Sequence, residues 1–229
     1  MKEKSKKIQF NQKKKKIKKN YKINKAIEIL KKIKPANFIE SIDVAFNLNI
    51  NPKKSEQNVR GSVILPHGTG KKIKIAVFTT GKNIKIAQSS GADFVGMEDL
   101  ANIIKKQKIK FDLIIASPES MELVGKLGPI LGPRGIMPNP KFGTVTNDIK
   151  KSIKDARKGK INYKNDKNGT IHSNFGKINF SNEHLYENFL ALYHSITQSK
   201  PAQLKGIYFK KISISTTMGP GINIDHLSL

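Results

Sequence analysis

Two styles of strand within one chain constrain this fold more than any other feature. In SIDVAFNLNI, Ile42, Val44, Phe46 and Leu48 alternate with Ser41, Asp43, Ala45 and Asn47. A period of two marks a strand with one buried and one wetted face, which belongs in an antiparallel sheet. RGSVILP (Arg60–Pro66) is expected to be its partner, and INYKN, GTIHSNFG and GIYFKKISIS repeat the half-exposed style after Gly159. Between these blocks, Ile73–Thr79 and Phe111–Ser117 are short, continuous apolar runs, as in strands buried on both faces. Helical patterns surround them at Asn83–Ser90, Met97–Gln107, Pro118–Lys126 and Asn147–Lys158. Strand alternating with helix implies a parallel, doubly wound sheet with right-handed crossovers. Two further helices are expected at Asn24–Lys32 and at Asn182–Gln198, the latter with Leu185, Phe189, Leu192 and Ile196 on one face.

The fold class is therefore α/β in two domains. Residues 1–67 and 160–229 form a discontinuous domain with an antiparallel sheet and helices, and residues 68–159 form an inserted domain with a parallel sheet.

Charge says what such a chain meets. The 229 residues carry a formal net charge of +26, and residues 1–34 hold fifteen Lys against two Glu, half of that excess. Residues 1–20 read as a basic arm. A chain this positive calls for an anionic partner, nucleic acid first and an acidic membrane surface second. Forty Lys against three Arg is also the skew of an AT-rich genome, which discounts the Lys count but not the sign of the charge. Cys is absent, so disulfides and thiolate metal sites are excluded. No apolar run is long enough to span a bilayer, and no apolar stretch follows the basic N-terminus as in a secretory signal. A cytoplasmic protein without a membrane partner is expected.

The motifs favour a binder over an enzyme. HGTGKK (His67–Lys72) approaches a phosphate-binding loop, but Leu65 stands where the first Gly is needed and Lys72 where Ser or Thr would hold magnesium. It reads as a Gly-containing crossing between domains. The His residues lack metal-ligand spacing, and Ser62, Ser117 and Ser173 lack the context of an activated nucleophile. No cofactor and no metal are expected. STTMGPG (Ser215–Gly221) offers hydroxyls, a Met and two Gly. Such groups suit ribose, base and phosphate contacts. A turn with a buried Met is the other reading.

GPILGPRGIMPNPKFGTVT, with four Pro and four Gly in its first seventeen residues, resembles the signature of the ribosomal protein L-one family, large-subunit proteins of the mobile stalk beside the tRNA exit site. FIESIDVAFNLNINPKKSEQNVRGSVILPHGTGK, GADFVGMEDL, FDLIIASPESM, NGTIHSNFGK and KKISISTTMGP resemble further family segments in family order. The resemblance covers about Lys22 to Asp225 and points to the bacterial type.

It implies a split RNA-binding domain and an inserted Rossmann-like domain without a nucleotide site. It implies binding to large-subunit rRNA of the stalk, guidance of deacylated tRNA from the exit site, and in bacteria repression through the protein's own operon mRNA. A monomer within the large ribosomal subunit is implied, in a bacterium, an endosymbiont or a plastid. Carried over by position, the RNA-contacting surface falls on Phe38, Thr217, Met218, Gly219 and Pro220. Lys34, Glu40, His172, Lys177, Ser213 and Ser215 lie on or beside the same segments. The Gly/Pro-rich stretch reads as a rigid loop packed on a sheet edge. Arg134 and Lys141 within it are candidates for a secondary RNA or tRNA contact, and a purely structural cover is the alternative. The Lys arm departs from the family core and reads as extra phosphate contact.

Overall fold

The computed structural model describes residues 20–33, 36–106 and 109–225. The chain divides into two compact units, Met1–Gly70 with Ile161–Leu229, and Lys71–Lys160.

In the first unit, helix α1 (Ile23–Ile33) leads to strand β1 (Ser41–Leu48), and β2 (Arg60–Ile64) follows. Numbering through the second unit, the chain returns with β6 (Lys160–Lys164), β7 (Thr170–Lys177), α7 (Asn182–Gln198), β8 (Phe209–Thr216) and β9 (Ile222–Ile224). The main sheet runs β7-β1-β8-β9, and each pairing is antiparallel. The alternation read in β1 is realised. Ile42, Val44, Phe46 and Leu48 are buried in one cluster with Ala26, Ile27 and Leu30 of α1 and Leu185, Phe189, Leu192 and Ile196 of α7. Phe46 and Phe189 stack with ring centroids 6.0 Å apart. Both helices thus cover the same face of the sheet.

β2 is not the partner of β1. It pairs with β6 in a separate two-stranded ribbon. Both sides of β1 are already taken, by β7 from residue 41 to 47 and by β8 from residue 42 to 48. A strand has only two hydrogen-bonding edges, so nearness in sequence lost to the two strands whose apolar faces match. The short β9 was not anticipated; it extends the far edge through pairs such as Ser213 with Asn223.

The second unit holds β3 (Ile75–Phe78), α2 (Lys82–Ser89), β4 (Phe94–Gly96), α3 (Glu98–Lys105), β5 (Leu113–Ala116), α4 (Met121–Gly125), α5 (Gly128–Arg134) and α6 (Ile149–Arg157). Its three strands run β4-β3-β5, all parallel. Ala76, Phe78, Ile114 and Ala116 face one core with Leu100, Ile104, Val124 and Leu131. Ile75, Val77 and Ile115 face another with Ala87, Ile149, Ile153 and Ala156. Burial on both faces is why these strands read as unbroken apolar runs.

The Gly/Pro-rich stretch is not one rigid loop. Its first half is helix α5, with Pro129 in the first turn and Gly135 closing the end in the left-handed region at φ 69°. Proline is tolerated at a helix start because the N–H it lacks has no partner there. Pro133 lies within α5 and removes one internal bond. A 3-10 turn, Pro140–Phe142, follows. Only the end of the stretch reaches a sheet edge, where Ala116 N–H donates to Thr144 O (2.9 Å) and Val145 bridges Ala116 in parallel.

Candidate nucleic-acid interface

Helices α1 and α7 cover one face of the main sheet, and the alternation that buries Ile42 and Val44 turns Asp43, Ala45 and Asn47 to the other. Strand register adds neighbours to that face. Asp43 lies opposite Ser215 and Asn174, and Ala45 opposite Ser213 and His172. Lys211 faces Asn47, and Lys177 faces Ser41 at the end of the sheet. The face is held in shape by its own polar groups. Asn174 Nδ2 donates to Asp43 Oδ1 (3.0 Å), and Ser213 Oγ donates to Asn223 Oδ1 (3.0 Å).

One end of the sheet carries an apolar rim. Phe38 is 52% exposed, Ile39 55% and Met218 61%. Large apolar side chains exposed together are unusual on a folded surface and mark contact sites. Thr217 fastens the turn to the start of β1. Its N–H donates to Ser41 O (3.1 Å), and its Oγ1 accepts from Ser41 N–H (3.2 Å). Gly219 N–H donates to Thr216 O (3.1 Å), and a Cβ at Gly219 would overlap Thr216 Oγ1. Any larger residue there would require Thr216 to move. Pro220 is buried and ends the turn against the sheet.

His172 is exposed on β7, with Nε2 3.7 Å from Asp166 Oδ2 in the adjoining hairpin. Thr170 N–H, then Asn168 N–H, donate to Asp166 Oδ1 at 2.8 Å each and hold its carboxyl below the usual range.

The sequence candidates therefore separate. Thr217, Met218 and Gly219 form the turn bonded to Ser41, three residues after exposed Phe38, and His172, Lys177, Ser213 and Ser215 lie on the open face or at its end. Glu40 does not share that surface. It is fully buried, and neither carboxylate oxygen has a hydrogen-bond partner. The period of two that buries Ile42 also turns Glu40 toward the core. Lys34 and the basic arm through residue 19 lie outside the described residues. Arg134, at the end of α5, and Lys141, in the 3-10 turn, are both exposed on the second unit.

Sequence reasoning passed over Asp43, Asn174 and Ile39. Asp43 and Asn174 were legible only as wet positions in alternating strands, because their pairing depends on two strands more than a hundred residues apart. The exposure of Ile39 follows from its phase, since it stands opposite to Glu40 and Ile42 in the same alternation.

The structure thus defines a two-unit α/β protein, with an antiparallel sheet covered by helices on one face and a polar second face that ends in the turn bearing exposed Met218. The chain belongs to the Ribosomal protein L1p/L10e family, which matches residues 30–220. It is 74% identical over 229 residues to the large ribosomal subunit protein uL1 of Buchnera aphidicola subsp. Cinara cedri, with both chains covered in full. It is 56% identical over 211 residues to the uL1 protein of Haemophilus influenzae (strain ATCC 51907 / DSM 11121 / KW20 / Rd) and 55% identical over 211 residues to that of Pasteurella multocida, with 92% of each chain covered.

Proposed function

We propose that this protein is a structural constituent of the bacterial large ribosomal subunit. It binds large-subunit rRNA of the mobile stalk through the open face of the β7-β1-β8-β9 sheet and the rim formed by Phe38, Thr217, Met218 and Gly219. The observation that carries this reading is the rim itself, with Phe38 and Met218 both more than half exposed and joined through the Thr217–Ser41 hydrogen bonds, in a chain of a ribosomal family. Irregular RNA is recognised by stacking, ribose hydroxyls and close backbone approach. A Phe ring, a Met side chain, hydroxyls and a bare Gly supply these contacts. The net charge of +26 supplies sequence-independent affinity for phosphate.

In that setting the protein works in the cytoplasm as a monomer within the subunit, and the stalk it joins assists release of deacylated tRNA from the exit site. The same face serves as a repressor site for its own operon mRNA wherever the leader folds like the stalk. No step in this role calls on catalysis or a cofactor.

The test is Met218→Ala, with binding measured to a stalk rRNA fragment and to an unrelated RNA duplex. Stalk binding weakens by about 1–3 kcal/mol, as for other specific contacts. Duplex binding and melting temperature hold. Equal loss for both RNAs would sink the assignment of the rim as the discriminating contact.

A further inference from the structure

The positive charge is shared unevenly between the two units. Lys71–Lys160 contains eighteen Lys and Arg against eight Asp and Glu, whereas the first unit beyond residue 34 contains ten against seven. Thus the unit without the open sheet face carries most of the excess that is left once the first 34 residues are set aside.

That excess has a focus on α6, IKKSIKDAR. Ile149, Ser152, Ile153 and Ala156 are its buried face. Lys150, Lys151 and Lys154, with Lys158 at the C-cap, are all exposed. At about 100° per residue these four ammonium groups fall within an arc of roughly 100° opposite the buried face, and they span roughly 12 Å along the axis. Among the described residues none of the four makes an ion pair. The helix is a rigid mount. Asp148 Oδ1 caps it from Lys151 N–H (3.0 Å), and Arg157 ties its far end to Ile73 O (2.8 Å), Gly91 O (2.7 Å) and Asp93 Oδ2 (2.9 Å).

Lys154 and Lys158, at the C-terminal end, suit the helix dipole, but the rest of the stripe works against the helix. Lys150, Lys154 and Lys158 are like charges at i, i+4 spacing, and Lys150 and Lys151 stand in the first turn, where the helix dipole disfavours cations. Asp155, half-buried at the edge of the stripe, is the one acidic residue within the helix, and it leaves the exposed arc of four lysines without an interspersed carboxylate. α6 also exposes no large apolar side chain, so it has nothing to insert into a membrane.

We propose that this stripe is a second RNA contact, on the inserted unit and distinct from the rim, which engages the phosphate backbone of double-stranded RNA without reading its sequence. Lys ammonium groups are point charges without the planar fork that reads guanine edges, so they position rather than discriminate. The inference goes beyond the rim's reading of stalk RNA and does not depend on it.

The test compares two full-length variants. One carries Lys150→Gln, Lys151→Gln, Lys154→Gln and Lys158→Gln. The other carries Lys72→Gln, Lys85→Gln, Lys105→Gln and Lys106→Gln, which removes the same charge from scattered exposed sites on the same unit. Binding to a 20-base-pair RNA duplex of arbitrary sequence is measured across a salt series, with and without residues 1–19. The stripe variant should bind at least tenfold more weakly at low salt, with a log–log slope shallower by about two, at about 0.9 per phosphate released. The scattered variant should change much less, and discrimination for a stalk fragment should survive in both. Lysine acetylation of the unmodified protein, read by mass spectrometry, should show these four residues protected by the duplex. Equal losses in the two variants, unchanged reactivity of the four lysines, or equal protection by anionic phospholipid vesicles would each overturn the proposal.

Discussion

Thr217 and Ser41, 176 residues apart in sequence, are joined by three hydrogen bonds: Thr217 N–H to Ser41 O at 3.1 Å, Ser41 N–H to Thr217 Oγ1 at 3.2 Å, and Thr217 Oγ1–H to Ser41 O at 3.4 Å. The pair couples the end of β8 to the start of β1, so the turn bearing Met218 and the lead-in bearing Phe38 are positioned together. Thr217→Val keeps the shape and removes the hydroxyl, which both accepts from and donates to the Ser41 backbone. Stability falls by about 0.5–1.5 kcal/mol, the net worth of a typical hydrogen bond, and stalk RNA binding weakens with it. Thr217→Ser, which keeps the hydroxyl, should behave as the parent in both assays. If Ser proves as poor as Val, the methyl group matters as much as the hydroxyl and the hydrogen bonds alone do not hold the turn.

Gly219 tests how tightly the turn is packed. Its missing Cβ leaves room for Thr216 Oγ1, a buried hydroxyl without a hydrogen-bond partner. Gly219→Ala should cost about 1–3 kcal/mol by urea unfolding, the usual range for an overpacked site. Adding Thr216→Ala removes the obstructing atom and should recover a large part of that loss, a non-additivity expected of residues in contact. Additive losses in the double variant would place the strain elsewhere.

Asn188, fully buried on α7, serves three backbone groups. Its Oδ1 accepts from His67 N–H (3.0 Å), and its Nδ2 donates to Gly68 O and Phe175 O (2.9 Å each). Leucine at this position leaves those groups unpaired, each at a cost of order 1–3 kcal/mol if it stays buried. Asn188→Leu is therefore expected to lower unfolding stability by about 3 kcal/mol. A loss under about 0.5 kcal/mol, the usual effect of a surface substitution, would show that water replaces the amide at little cost.

Asp166 provides a pH signature. Hydrogen bonds from Thr170 N–H first, then Asn168 N–H and the nearby His172, lower its pKa in the folded chain. A depressed folded pKa stabilises the fold above the unfolded carboxylate's pKa of about 3.9, and that contribution disappears as pH falls through the folded value. Asp166→Asn retains the acceptor and removes the charge. It should be less stable than the parent at neutral pH, with the gap closing in strong acid. A gap that persists unchanged at low pH would assign the loss to geometry instead of charge.

Much of the fold was legible because burial writes itself into sequence period. The alternation in Ser41–Leu48 and the unbroken run in Ile75–Phe78 each reported how many faces a strand would cover, and the observed elements follow. The helix expected at Asn182–Gln198 is observed with those bounds, its Ser181 side chain accepting from His184 N–H. Where local chemistry misled, composition outweighed position. The Pro and Gly of Gly128–Thr144 looked like breakers throughout, yet Pro129 and Gly135 occupy the two places at a helix's ends where such residues belong.

Period and composition within a few residues were enough to specify which long strands are half-exposed and which are buried, most of the helices and the sign of the charge. Which strands meet was left to the packing of the whole unit. It placed β7 and β8 on either side of β1, sent β2 to β6, and so put Asp43 beside Asn174 and Ser215 while turning Glu40 into the core. Pairing is a competition among distant segments for two edges of one strand. It is settled by matching buried faces across the whole unit, and no window of neighbouring residues contains that information.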